Sequence, residues 1–245
     1  MCKEIYFLVL TNPSTYKPED FSGFFVLQPD WFRKLLNTDL LISLKLHRYF
    51  IIYKPYLVLS QFSFGLSEPN GNNIKQTLKD FFNVPHNVYP VGRLDYDSEG
   101  LLILTNDTNL NHLLLNPSFA HEREYWVQVE GLINQTALNR LQSGVEIMID
   151  GKPYLSRKAR VESFEDDPIV PERNPSIRFR KNIPTSWIKM ILTEGKNRQV
   201  RKMTARAGFP TLRLLRYRIS LLTIDGLKPG SIKEIDRNEI YRLLF

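Results

Sequence analysis

Three carboxylates fall within five residues in the stretch VGRLDYDSEGLLILTN (residues 91–106): Asp95, Asp97 and Glu99. Side chains of this type at this spacing fit four readings. Alternating oxygen ligands on a loop can hold magnesium or calcium. Two carboxylates roughly 5 to 9.5 Å apart can cleave a glycosidic bond as acid and base or nucleophile. One ionised carboxylate can act alone as a nucleophile, and Asp, Ser and Gly can simply build a turn by accepting backbone N–H bonds. The run lacks the glycine and the distal glutamate of a calcium loop, which disfavours a metal. His47, His86, His112 and His121 have no metal-ligand spacing either. Asp95 and Asp97, two apart on an extended chain, can point the same way, so the paired-acid reading stays open. For Asp97, Ser98 and Glu99 a turn explains as much as chemistry does. Asp95 differs, because Arg93 and Leu94 before it are expected to set it against cationic and apolar surroundings, as a nucleophile needs.

The elements that must hold these residues are legible around them. GLLILT (residues 100–105) reads as a fully buried strand, followed by a helix over TNLNHLLL (108–115) that Asn116-Pro117 stops. Upstream, YFIIY (49–53) is a strand ended by Lys54-Pro55. IKQTLKDFF (74–82) spaces its apolar side chains as a helix does, after a Gly, Ser, Asn and Pro loop. Downstream, YWVQVE (125–130) alternates and ends at Gly131, and NQTALNRLQ (134–142) is a capped helix closed by Gly144. After a polar, proline-bearing stretch, WIKMIL (187–192) is a strand. Gly195 then opens a turn into a helix over NRQVRKMTARA (197–207), capped by Asn197, ended by Gly208 and facing the core with Val200, Met203 and Ala207. TLRLLRY (211–217) and SLLTI (220–224) are strands, and RNEIYRLL (237–244) is a last short helix. Strands and helices mix without a regular βαβ alternation, which predicts an α+β fold with mainly antiparallel pairing.

A chain of 245 residues, 42% hydrophobic and 12% aromatic, can build a real core. The single cysteine, Cys2, rules out an internal disulfide framework and a cysteine-rich zinc site and suits a reducing cytosol. No apolar run reaches the roughly 18 residues of a membrane helix, so a soluble, cytoplasmic protein is expected. The net charge of +7 and pI near 9.4 favour an anionic partner. RFRK (178–181), KNRQVRK (196–202) and RLLRYR (213–218) concentrate cations and interleaved aromatics in the last third, as an RNA-binding surface or the solvated faces of ordinary elements would. Residues 1–47 carry apolar fragments without a sustained period and are read as an N-terminal extension of unknown role, ahead of a domain over 48–245.

GRLDYDSEGLLILTN (92–106) resembles the signature of the RsuA-type ribosomal RNA pseudouridine synthases. Three further stretches agree in order and spacing: FIIYKPY (50–56), EREYWVQVEG (122–131) and EGKNRQVRKM (194–203). The likeness spans about residues 48–244. RNPSIR (173–178), IPTSW (183–187) and GFPTLRLLR (208–216) are most similar to members acting on 23S rRNA of the large ribosomal subunit. The resemblance implies the pseudouridine synthase catalytic fold with a cleft across its sheet, and isomerisation of a uridine without cofactor or metal. Its N-glycosidic bond is broken, the base turns, and C5 is rejoined to the ribose. Asp95 is then the nucleophile, by attack at C1′, at the uracil ring, or through a glycal; Tyr125 stacks on the uracil and assists proton removal from C5; Arg201 pairs with and orients Asp95. Arg93 stands beside the flipped nucleotide, Lys196 and Arg198 meet phosphates, and Arg123 replaces the lysine usual in its motif with the charge kept. An S4-type RNA-binding domain, common in the family, has no counterpart in residues 1–47. Two rivals remain: a non-catalytic rRNA-binding or ribosome-assembly protein, and a hydrolase in which Asp97 or Glu99 faces Asp95 as second acid.

Overall fold

A computed structural model describes residues 47–63, 75–177 and 183–245. Residues 1–46 of the expected N-terminal extension, Ile74, most of the 63–73 loop and the RFRK cluster lie outside the described residues. His47–Phe245 forms one compact unit.

The chain enters the main sheet with β1 (Tyr49–Lys54), makes the two-residue strands β2 (Val58–Leu59), β3 (Gln76–Thr77) and β4 (Tyr89–Pro90), and returns as β5 (Glu99–Thr105). Helix α1 (Thr108–Leu115) leads to β6 (Arg123–Glu130) and α2 (Gln135–Ser143). A hairpin of β7 (Glu146–Ile149) and β8 (Lys152–Leu155) precedes β9 (Arg160–Ser163) and β10 (Thr185–Leu192). Then come α3 (Gln199–Arg206), β11 (Thr211–Ile219), β12 (Leu222–Thr223), β13 (Ile232–Glu234) and α4 (Arg237–Leu244). The nine-stranded sheet runs β13-β1-β5-β11-β6-β10-β9, with β12 on β11 and β4 on β5. Its pairs are antiparallel apart from β5 and β11, so the fold is α+β with a mixed, mostly antiparallel sheet.

The period-two geometry of strands divides β1 and β5 between two cores. Tyr49, Ile51, Tyr53, Leu101 and Ile103 pack with Leu110 and Leu114 of α1 and Ile240 and Leu244 of α4. Their alternates Phe50, Ile52, Leu102 and Leu104 pack on the other face with Leu78, Phe82 and Leu94. That double burial explains why GLLILT carries no polar alternation. A third cluster joins Val127, Val129, Ile188 and Met190 to α2 and to Val200 and Met203 of α3. Truncating one of these leucines to alanine removes about 2 to 5 kcal/mol.

Caps explain the helix ends. Asp107 accepts the N–H groups of Asn109 (3.0 Å) and Leu110 (3.2 Å) at the start of α1 and also the hydroxyls of Tyr49 and Tyr241 (2.7 Å each). Asn134 caps α2 at Ala137 N (2.9 Å). Two expectations fail. Residues 76–82 do not form an α-helix: Gln76 and Thr77 pair with β2, and Asp80 folds back to accept from Thr77 N (2.7 Å), closing a single 3-10 turn over Leu78–Asp80. The apolar spacing served instead to bury Leu78 and Phe82. Asn197 does not cap α3 either. Arg198 occupies that position with φ +52 and no side-chain cap, and Gln199 Oε1 accepts from Lys196 N (3.0 Å) instead.

Candidate active site

The carboxylate loop is fixed at both ends. Ser60 Oγ donates to Leu94 O (2.7 Å) and accepts from Leu94 N (3.0 Å), which clamps the residue before Asp95. Ser98 N donates to Asp95 O (3.1 Å), closing the turn. Gly100 has φ +109, and a Cβ there would lie 2.4 Å from Arg216 O. Only glycine lets β11 run parallel beside β5 at this point, with Leu215 opposite Glu99 and Arg216 opposite Gly100.

The three carboxylates part company. Glu99 is buried against Arg213, which donates through Nε (2.7 Å) and Nη2 (2.9 Å). Asp97 accepts a two-pronged bond from Arg198, Nη1 at 2.7 Å and Nη2 at 2.8 Å, and has Arg201 Nε at 3.4 Å. Burial works against the Asp97 charge, but the Arg198 bonds and the field of Arg201 outweigh it and hold the carboxyl below its usual range. Asp95 keeps 32% of its side chain exposed, with Arg198 Nη1 at 3.9 Å. The expected pairing of Arg201 with Asp95 is therefore corrected. Arg201 anchors the loop from behind, through Asp97 O and the Asp97 carboxylate, and Arg198 is the cation nearest Asp95. Arg198 stands at the left-handed cap position and Arg201 in the first turn of α3, so proximity in the motif alone leaves the choice between them open. Arg93 is exposed and makes no bond among the described residues, so it is not the cation that surrounds Asp95.

A cleft of about 540 Å³ opens over the β6, β10 and β11 ends. Its wall includes Asp95, Tyr125, Arg93, Arg123, Lys196 and Arg198, so every expected site residue except Arg201 borders one cavity. Arg123 is not free for a phosphate: it donates to His121 O (3.1 Å) and Leu114 O (2.8 Å), tying α1 to β6. Lys196 Nζ lies 5.2 Å from the centre of the Tyr154 ring. Tyr154 and Arg157 extend the wall, and both are held by buried Glu194, which accepts from Tyr154 Oη (2.5 Å), Arg157 N (2.9 Å) and Gln199 Nε2.

Two wall residues have surroundings that the sequence reading did not anticipate. Ser98, read as a turn former, has its Oγ buried without a hydrogen-bond partner among the described residues. Arg216 is 5% exposed, standing between apolar neighbours in RLLRYR. A cation at an inward position of a central strand was the available signal, and the net charge of the segment hid it. Behind the loop Lys54 is fully buried, donating to Pro55 O (2.9 Å) and Val58 O (2.6 Å). Burial pulls its amine down to about 7, against Glu99, Asp97 and Asp95, which favour its charge. The arrangement offers one unconsumed carboxylate beside an aromatic phenol, in a cavity rimmed by cations.

Comparison with known proteins bears on that chemistry. Residues 48–206 match the family model described as RNA pseudouridylate synthase. Ribosomal large subunit pseudouridine synthase E of Vibrio parahaemolyticus is 45% identical over 194 residues, 79% of this chain and 76% of that protein. The synthase E of Xanthomonas campestris is 43% identical over 190 residues, 78% of this chain and 96% of that one. A crystal structure of a pseudouridylate synthase shares the fold, with TM-score 0.62 and 23% identity over 81% of this chain and 74% of its own. The chain belongs to the RNA pseudouridylate synthase family.

Proposed function

We propose that this enzyme isomerises one uridine of 23S rRNA to pseudouridine, with Asp95 as the nucleophile and residues 48–245 as the catalytic domain. The observation that carries the assignment is the division of labour among the carboxylates: Glu99 is consumed by Arg213, Asp97 by Arg198 and Arg201, and Asp95 alone borders the cleft. A hydrolase needs a second acid facing the first, and neither neighbour is available for that role.

The target uridine must leave its stack to reach a carboxylate on the cleft floor. In this reading Tyr125 receives the flipped base by stacking, as aromatic side chains do with splayed RNA bases. Asp95 drives cleavage of the N-glycosidic bond, and the base turns within the cavity before C5 joins C1′. Arg198 sets Asp95 and, with Lys196, meets backbone phosphates; Arg93, exposed at the rim, stands where the nucleotide leaves the helix. Arg201 acts through the Asp97 loop. The named relatives are large-subunit enzymes, which supports 23S rRNA as substrate and a cytoplasmic setting. No described helix is long and apolar enough to cross a membrane.

Carbodiimide labelling and primer extension on 23S rRNA from cells lacking the protein test the proposal. Loss of one pseudouridine, restored by the purified enzyme, is expected. An unchanged map would favour the rRNA-binding or ribosome-assembly reading.

A further inference from the structure

Arg216 has an expensive position. Its guanidinium is almost sealed from water, Nε donates to Leu101 O (2.8 Å), and Nη2 has no hydrogen-bond partner among the described residues. Burying a charged group with one of its donor nitrogens unsatisfied works against folding, and such an orphan in a native site calls for a reason. The surroundings supply one. Arg216 stands directly opposite Tyr125 in the antiparallel β11–β6 register, so the two side chains leave the same face of the sheet. Both border the cleft that contains Asp95. Burial draws the guanidinium below its ordinary value, the Tyr125 hydroxyl opposes this most strongly, Arg123 adds to the depression, and Asp95 opposes it. No carboxylate forms a salt bridge with Arg216 among the described residues, in contrast to Arg213 and Arg218 of the same strand.

We propose that Arg216 is a positioning residue for proton removal from uracil C5, acting through Tyr125: it is the fixed cation against which the Tyr125 oxygen accepts that proton. The inference rests on the reading of the cleft as a uridine-isomerising site. Once C5 has joined C1′, C5 carries both the ribose bond and a hydrogen. The Tyr125 oxygen takes the C5 proton as its own hydroxyl proton passes to solvent, the C5–H electron pair becomes the C5–C6 double bond, and the C6–N1 π pair returns to N1, which takes a proton from solvent. A buried guanidinium facing that oxygen stabilises the negative charge that develops on it as its own proton leaves, as preorganised donors do in low-dielectric sites.

The test is pseudouridine formation on a 23S rRNA transcript whose uracils carry deuterium or hydrogen at C5. Arg216→Gln should slow turnover by about 10²-fold, the lower range for a positioned acid–base group, and raise the C5 isotope effect above the wild-type value, because deprotonation becomes limiting. Arg216→Lys, which keeps the charge, should recover part of the rate. Either change should add little to the loss already caused by Tyr125→Phe, since both act on one step. A wild-type rate and isotope effect in Arg216→Gln would overturn the proposal. If the glutamine variant does not fold, Arg216→Lys decides it: losses that multiply with Tyr125→Phe would show the two residues to be independent. Turnover by Asp95→Asn, or none by the wild type, would reject the parent reading instead, before Arg216 is reached.

Discussion

Asp95 and Glu99 are four residues apart in one motif, and the fold treats them in opposite ways. Glu99 begins β5, where both strand faces are covered, and its charge is matched by a two-pronged bond from Arg213. Asp95 stands just outside the strand, where the Ser60 clamp fixes its backbone while its side chain borders the cleft. A carboxylate with a dedicated partner in the core is bound to structure; one with its backbone fixed and its head free is available for chemistry. Between them Asp97 serves the second by spending its own charge on Arg198 and Arg201.

The largest expected effect falls on Asp95. Asp95→Asn should lower turnover by more than about 10⁴-fold, as loss of a nucleophile does, with the melting temperature unmoved within about 2 °C. Single-turnover rates and a thermal melt check both halves, and turnover within tenfold of wild type would break the comparison. Glu99→Ala should show the reverse pattern. It leaves Arg213 buried without its partner and should destabilise by roughly 3 to 5 kcal/mol, while the folded fraction retains most of its activity. A variant that melts with the wild type, or that folds fully yet is dead, would place Glu99 in the chemistry.

Asp97 sharpens the contrast through its two arginines. Arg198 reaches Asp95 and Asp97 and borders the cleft, whereas Arg201 bonds the Asp97 backbone and carboxylate and Thr211 O and does not line the cleft. Arg198→Ala is expected to reduce turnover by about 10- to 10²-fold with little change in stability, because an exposed pair contributes about 1 kcal/mol or less. Arg201→Met should lose about 1 to 3 kcal/mol of stability by leaving loop acceptors unpaired, with a smaller fall in turnover. Equal turnover losses from both variants would mean that spacing, not contact, decides which arginine matters.

Much of this was legible from residue types. Asp107 before TNLNHLLL and Asn116-Pro117 after it mark α1 at its true ends, and the unbroken apolar run of β5 announces its double burial. The β7–β8 hairpin had a signal, Asp150-Gly151 between short alternating segments, that went unread. Strands β9 and β13 offer little to read, because they are short, mostly exposed edge strands whose pairing is decided by the neighbouring strand. At the site, the expected residues other than Arg201 come together around one cavity, since Asp95, Tyr125 and the cations before α3 are carried on well-marked elements. The sequence could not rank Arg198 against Arg201, nor expose Arg216, because both depend on where a guanidinium ends after several rotatable bonds.

Lys54 gives the most graded effect, spread over pH and on stability rather than turnover. Its amine is fully buried behind the carboxylate loop, and its folded value of about 7 lies below the ordinary 10.5. Between those values the unfolded chain holds a proton on Lys54 that the folded chain has released, so stability from this group rises with pH across the window. The limiting slope is about 1.4 kcal/mol per pH unit, and below about pH 7 the full burden of burying the charge is present. Lys54→Met removes that slope but strands the Pro55 and Val58 carbonyls that the amine satisfies, at about 1 to 3 kcal/mol. Urea unfolding at pH 7, 8 and 9 should therefore show the wild type gaining on the variant as pH rises. Parallel curves would mean that the amine stays charged in the fold. The loop carboxylates would then be supporting a buried cation as Glu99 supports Arg213, and the line between structural and reactive carboxylates would have to be drawn closer to Asp95.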